Sequence, residues 1–191
     1  VKKYLKEVLG HAYTDKTKLV FVEHHQSHMH LAYATRPVIK TPTAVIVADA
    51  VGELETTSVW ISDGTHTPKR VWETKYPHGV GLMYSAVTKL AGFKTNEEEF
   101  SLMALAAYGT PSGAEYDFLN DFVEVSFSNG LPEFLTSINF HKEDLFSRYK
   151  EAIGRHVAYE NASLGSTMQK ILTDYMRSLT DSLVTKFDTR Q

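Results

Sequence analysis

Cysteine is absent from all 191 residues, which excludes a disulfide framework, a thiolate metal site and a cysteine nucleophile. Its absence fits a reducing compartment, so a cytoplasmic location is expected. Long apolar runs are missing too: none approaches the roughly 20 residues of a membrane-spanning helix. The opening Val1-Lys2-Lys3-Tyr4 lacks the apolar core of a signal peptide. Nor is there an excess of basic charge. Lys and Arg total 20 against 23 Asp and Glu, a net charge of −3, which gives nucleic acid no electrostatic footprint. Neither a membrane nor a nucleic acid is an expected partner. The chain has no initiator Met, which points to a processed start or a piece of a longer protein. What remains is an ordinary globular composition, 42% hydrophobic and 23% charged, without repeats or low-complexity tracts.

Local patterns outline an α/β domain. Residues 2–9 read as a short amphipathic helix closed by Gly10. KLVFVE (18–23) is apolar and β-branched, the signature of a buried strand. The histidine-rich segment from His24 reads as a helix ending before Arg36-Pro37. TAVIVAD (43–49), TTSVWI (56–61) and KRVWETK (69–75) predict an antiparallel meander. GLMYSAVTKLA (81–91) predicts a helix. A second is expected to start at Asn96, with Glu97–Glu99 as a solvated first turn, and to end near Tyr108. Tyr84, Phe93, Phe100 and Tyr108 are expected in the core, and His78 in a loop. Residues 114–160 are mixed. Leu164, Met168, Ile171, Leu172, Tyr175, Leu179 and Leu183 share one face of a long last helix. That helix stops without a strand to pack beside, again pointing to an incomplete chain.

Four histidines stand within seven residues, at 24, 25, 28 and 30. Positions i and i+4 share a helix face, so His24 and His28 can aim both imidazoles at one ion. His25 and His30 lack such a partner and point elsewhere. Asp49 ends a buried strand, where a carboxylate is costly unless paired or metal-bound. The turn after it, Ala50-Val51-Gly52-Glu53, has backbone N–H groups able to hold an anion. Two imidazoles and a carboxylate suit iron, zinc or manganese better than magnesium or calcium. Three protein ligands leave room for water, substrate or another residue. The bland alternatives stand beside this one. An HxxxH pair is often only a polar helix face, and a strand-end Asp is often a turn former or a helix cap.

Three ordered segments resemble one family. HHQSHMHLAYATRP (24–37) is similar to its HHxSH helix. VADAVGELETTSVW (47–60) is similar to its strand–DGxGE–turn–strand. YPHGVGLMYSAVTKLAGFKTNEEEFSLMALAAYGTP (76–111) is similar to its PHSLGxLYSxxTxxLGF and GEYKxMGLAxYG motifs. Helix 164–187 matches, more weakly, the helix before a Gly-Gly nucleotide loop. The family is the O-carbamoyltransferases of nodulation-factor, cephalosporin and tobramycin biosynthesis. Residues 112–160 carry none of the resemblance.

The resemblance implies a two-lobed actin, sugar-kinase and heat-shock-ATPase (ribonuclease H-like) architecture, here incomplete. Residues 1–40 would close the first lobe with the metal-binding helix, and 41–191 would form part of the second. The implied reaction of the full-length protein is metal-dependent transfer of a carbamoyl group from carbamoyl-adenylate to a hydroxyl acceptor. ATP and carbamoyl phosphate would supply the adenylate in a further domain. His24, His28 and Asp49 match the metal ligands, with Fe2+ or another divalent metal as cofactor. Asp49, Ala50, Val51, Gly52 and Glu53 match the loop facing the nucleotide and carbamoyl-adenylate, and Gly109 loosely matches a nucleotide-side glycine. The expected partners are the nucleotide and a small-molecule hydroxyl acceptor. The chain as it stands would lack the adenosine loop and a later Asp ligand, and is not expected to turn over alone. An incomplete lobe exposes apolar surface, so self-association to a homo-oligomer is a further expectation. No general base is identified, although His25 lies in the right segment. Ala50 stands where the family has Gly, and is strained if that position needs a positive φ. Ser101 replaces a Lys, and Gly79 and Ala104 replace the more usual Ser and Gly. The alternatives are a nucleotide- or metal-binding remnant without turnover, and a tRNA threonylcarbamoyl-transfer relative. The Asp-Ala-Val-Gly-Glu loop argues against the latter, where Ser-Gly-Gly is expected.

Overall fold

A short helix, α1 (Lys2–Leu9), leads into a single 3-10 turn, Gly10–Ala12. The computed structural model describes residues 2–14, 16–37, 41–154 and 161–187. Helix α2 (His24–Thr35) precedes three antiparallel strands, β1 (Thr43–Ala48), β2 (Glu55–Ser62) and β3 (Lys69–Lys75). They form the expected meander in the order β1-β2-β3, with Val45 opposite Trp60 and Ile46 opposite Val59. Strand alternation gives this sheet two apolar faces. Val45, Val47 and Trp60 pack with Met29 of α2 on one side. Val59, with Ala44, Ile46 and Ile61, packs into the main core on the other.

That main core is organised by α7 (Ala162–Phe187). Its Leu164, Met168, Ile171, Tyr175, Leu179 and Leu183 are buried along one stripe, as the sequence period predicts. Around it lie α3 (Val80–Leu90), α4 (Glu99–Ala106), α5 (Gly113–Asn120) and the hairpin of β4 (Val123–Ser128) and β5 (Leu131–Thr136). Helix α6 (Leu145–Ile153) adds Leu145 and Tyr149. Among the described residues no helix is long and apolar enough to cross a membrane.

Several expectations need correction. Residues 18–23 form no strand, and Val20, Phe21 and Val22 are 73%, 81% and 51% exposed. A β-branched run becomes a strand only when a neighbour satisfies its backbone, and none among the described residues pairs with it. Helix α4 starts at Glu99 rather than Asn96, because Asn96 has φ 65°, outside the helical region. The Glu98 and Glu99 carboxylates instead reach back to the N–H groups of Lys94 and Asn96, both at 2.7 Å. The helix ends at Ala106, and Phe100 and Tyr108, expected in the core, are exposed. Tyr84 and Phe93 do join the core. His78 lies in a loop as expected, where its Nδ1 accepts from the Thr136 N–H at 3.1 Å.

Tyr175 gives the core a measurable pH dependence. Its hydroxyl is buried and donates to the Pro132 carbonyl at 3.3 Å, and burial pushes its pKa well above the ordinary 10.0. The folded state therefore keeps a proton that the unfolded chain has lost, and stability falls as pH rises above that ordinary value. Tyr175→Phe is expected to remove up to ~1.4 kcal/mol per pH unit of that alkaline slope. At neutral pH it costs about 1 kcal/mol for the lost hydrogen bond. Urea titrations at several alkaline pH values check this, and identical slopes for the two proteins would contradict it.

Candidate metal centre

The buried face of α2 consists of His25 and Met29, an i and i+4 pair pressed against the sheet. This turns His24 and His28, one position round the helix, toward the end of β1. His25 acts as the anchor. Its Nδ1 is 2.8 Å from Ser58 Oγ, which also accepts from Trp60 Nε1 at 2.9 Å. Burial lowers the His25 pKa, favouring the neutral ring. The ring is fully buried and does not line the cavity described below, so it is not placed to deprotonate an acceptor. His30 is exposed.

Asp49 follows the last residue of β1, its N–H still bonded to the Thr56 carbonyl at 2.9 Å. Its Oδ1 accepts from the Ala50 N–H at 2.7 Å, which fixes the rotamer and directs Oδ2 at the histidines. His24 Nε2 lies 2.7 Å from Oδ2 and 3.0 Å from His28 Nε2, and His28 Nε2 lies 3.9 Å from Oδ2. The three donors therefore form a triangle within 4.8 Å. A divalent metal with ligands at about 2.0–2.2 Å needs donor separations of about 3 Å or slightly more. The separations of 2.7, 3.0 and 3.9 Å bracket that requirement, so small side-chain rotations would bring all three donors onto one ion.

The hydrogen-bond alternative is less complete. One imidazole nitrogen offers either a proton or a lone pair, yet His24 Nε2 faces both a carboxylate and a second imidazole. A cation between the three would be met by lone pairs from all of them. The side chains are 43%, 51% and 36% exposed for His24, His28 and Asp49, so an ion can enter from solvent.

A cavity of about 480 Å³ opens from this cluster, a volume within the range of small-molecule sites. His24, Asp49, Ala50 and Val51 line one end. The rest comes from α3, including Leu82, Ser85, Ala86 and Lys89, from Thr95 and Asn96 after it, and from the segment 140–146. Lys89 and the 140–146 wall were not singled out in the sequence, where that segment shows no motif. Gly81 brings α3 against the Asp49 turn: a Cβ there would lie 2.3 Å from the Asp49 carbonyl oxygen.

The turn after Asp49 is partly committed internally. The Ala50 N–H goes to the Asp49 carboxylate, and the Gly52 N–H to the Glu55 carbonyl at 2.7 Å. Ala50 carries no positive φ, because Asn96 and Asn129 are the only such non-glycine residues among those described. The departure from glycine there costs no strain. Gly52 is needed for close approach instead, since a Cβ would meet His25 Cδ2 at 2.9 Å. Gly109 lies apart from this cavity, in a shallow depression beside α7, and its missing Cβ makes room for the Ala162 carbonyl oxygen.

Comparison with known proteins places this geometry in context. The family described as Carbamoyltransferase N-terminus matches residues 1–191. The uncharacterized protein sll1178 of Synechocystis sp. is 46% identical over 119 residues, covering 58% of this chain and 19% of the relative. The uncharacterized protein MJ1058 of Methanocaldococcus jannaschii is 25% identical over 180 residues, covering 86% of this chain and 28% of the relative. The matched part of the chain thus spans only 19% and 28% of the length of these two curated relatives.

Proposed function

Because the chain belongs to the carbamoyltransferase family, as its N-terminal domain, we propose that the full-length protein transfers a carbamoyl group from carbamoyl-adenylate to a hydroxyl acceptor, with a divalent metal, preferentially iron. The observation that carries this reading is the convergence of His24, His28 and Asp49, two of which, His24 and Asp49, line one end of a cavity large enough for a small molecule. The three side chains would hold the metal, which supplies Lewis-acid charge neutralisation when bound. The acceptor oxygen forms a bond to the carbamoyl carbon, the carbon–oxygen bond to the phosphate breaks, AMP leaves, and the hydroxyl proton passes to a base. Asp49 would have a double duty: Oδ2, which faces His24, would hold the metal, while Oδ1 holds the following turn in place.

On this reading residues 1–40 close the first lobe and 41–191 belong to the second. Helix α2 then sits at their junction, seated on β1 and β2 through Met29. The proposal belongs to an actin-like two-lobed architecture, with the nucleotide between lobes.

The test uses tag-free full-length protein. Bound metal is measured by elemental analysis, and AMP release is followed with ATP, carbamoyl phosphate and a panel of hydroxyl compounds. Near-stoichiometric metal with carbamoyl-phosphate-dependent AMP release supports the proposal. Metal without any AMP release would favour a metal-binding remnant, and neither would end the metal reading altogether.

A further inference from the structure

We infer that Glu53 is a positioning residue for the metal centre: its carboxylate caps α2 and so sets both imidazoles against Asp49. The inference rests on the metal reading of the site. The N-cap residue of α2 is Glu23, whose side chain makes no capping hydrogen bond. That carboxylate is instead 3.3 Å from Arg70 Nη1, which also holds Glu55. The first turn of a helix leaves backbone N–H groups without intrahelical partners and concentrates positive partial charge there. Glu53 supplies both needs from 29 residues away. Its Oε1 and Oε2 accept from the His24 N–H at 3.1 and 3.0 Å.

The consequence for the metal follows from connectivity. One five-residue turn carries a ligand at its start, Asp49, and the cap of the ligand-bearing helix at its end, Glu53. The spacing between the carboxylate ligand and the two imidazoles is therefore set through a single short loop. Gly52 lets that loop come close, since any Cβ there would collide with His25, the buried anchor of the same helical turn. A loosened first turn would let α2 rotate, and a step of one residue would replace His24 with His25 at the ion. This role also differs from contact with a nucleotide phosphate, which a carboxylate would repel and which would leave binding of the metal alone untouched.

Cobalt(II) without nucleotide is the probe, because its visible absorption reports ligand geometry. Dissociation constants and spectra are compared for the full-length protein, Glu53→Ala, Glu53→Gln and Leu179→Ala. Glu53→Ala is expected to weaken cobalt binding by about 10-fold or more and to change the spectrum, as loss of partners behind metal ligands does. Glu53→Gln keeps an acceptor of equal length and is expected to recover most of the loss. Leu179→Ala, a buried-core truncation away from the site, lowers stability while leaving affinity and spectrum unchanged, which separates positioning from general destabilisation. If the unmodified protein binds cobalt and Glu53→Ala matches it in affinity and spectrum, the inference is overturned, and so it is if Glu53→Gln recovers nothing. No cobalt binding by the unmodified protein would overturn the metal reading itself, a failure visible before any variant is made.

Discussion

Asp49→Ala is expected to reduce metal affinity on the order of 100-fold or more, with His24→Ala and His28→Ala close behind, because each removes a donor, and Asp49→Ala also removes the acceptor of the Ala50 N–H. Asp49 should show the largest loss. It is the only anion of the three, and a divalent cation is bound most strongly by the ligand that cancels part of its charge. It also stands nearer to His24, at 2.7 Å, than to His28, at 3.9 Å, so His24→Ala should cost more than His28→Ala. All three side chains are at least a third exposed and none belongs to either apolar cluster. The variants should therefore fold, with circular dichroism unchanged, and the effect should be confined to metal content. Elemental analysis and competition titration check the order Asp49, His24, His28. Stoichiometric metal in Asp49→Ala would show that the ion, wherever it sits, is not held by this cluster.

The parts of this architecture legible in the sequence are those whose periodicity is settled within one element. The i, i+4 histidine pair, the three-strand meander and the buried stripe of α7 all follow from spacing alone. Residues 18–23 did not, because a strand is made by neighbours and composition cannot say whether they are present. The β4–β5 hairpin carried a readable signal, Asn129-Gly130, with φ 52° and 73° as a two-residue hairpin turn requires. Its pattern is deceptive all the same. Val125 and Phe127 alternate like a buried face yet are 48% and 66% exposed, while the less regular LPEFLT is the side that packs. At the site, the candidate ligands were visible as motifs, but their supports were not. Glu53 reaches His24 across 29 residues, and the far wall of the cavity comes from 140–146. Contacts of that kind depend on the fold as a whole. The resemblance assigned Glu53 to the nucleotide loop, and the geometry adds a backbone partner in α2.

Gly81→Ala should damage both the fold and the metal centre. The added methyl would lie 2.3 Å from the Asp49 carbonyl oxygen, 2.7 Å from its carbonyl carbon and 2.9 Å from the Ala50 nitrogen. All three are backbone atoms, so no side chain can rotate away, and a non-bonded carbon–oxygen contact needs about 1 Å more. Helix α3 cannot easily retreat, because Met83 and Val87, two and six residues further on, are fully buried. The Asp49 turn is the softer side, with its end open to solvent. The strain should cost about 1–3 kcal/mol of stability, the usual range for overpacking. It should also displace the Asp49 carboxylate, weakening metal binding although no ligand has been changed. Gly113→Ala is the matched control. A Cβ there meets nothing within 4 Å, and its φ is not positive. It should leave metal binding intact and stability unchanged or raised by about 0.4–1 kcal/mol through the unfolded state. Thermal unfolding and metal titration of the two variants check this together. If Gly81→Ala melts and binds metal like the unmodified protein, α3 does not press on the Asp49 turn and the turn is not held in place from that side.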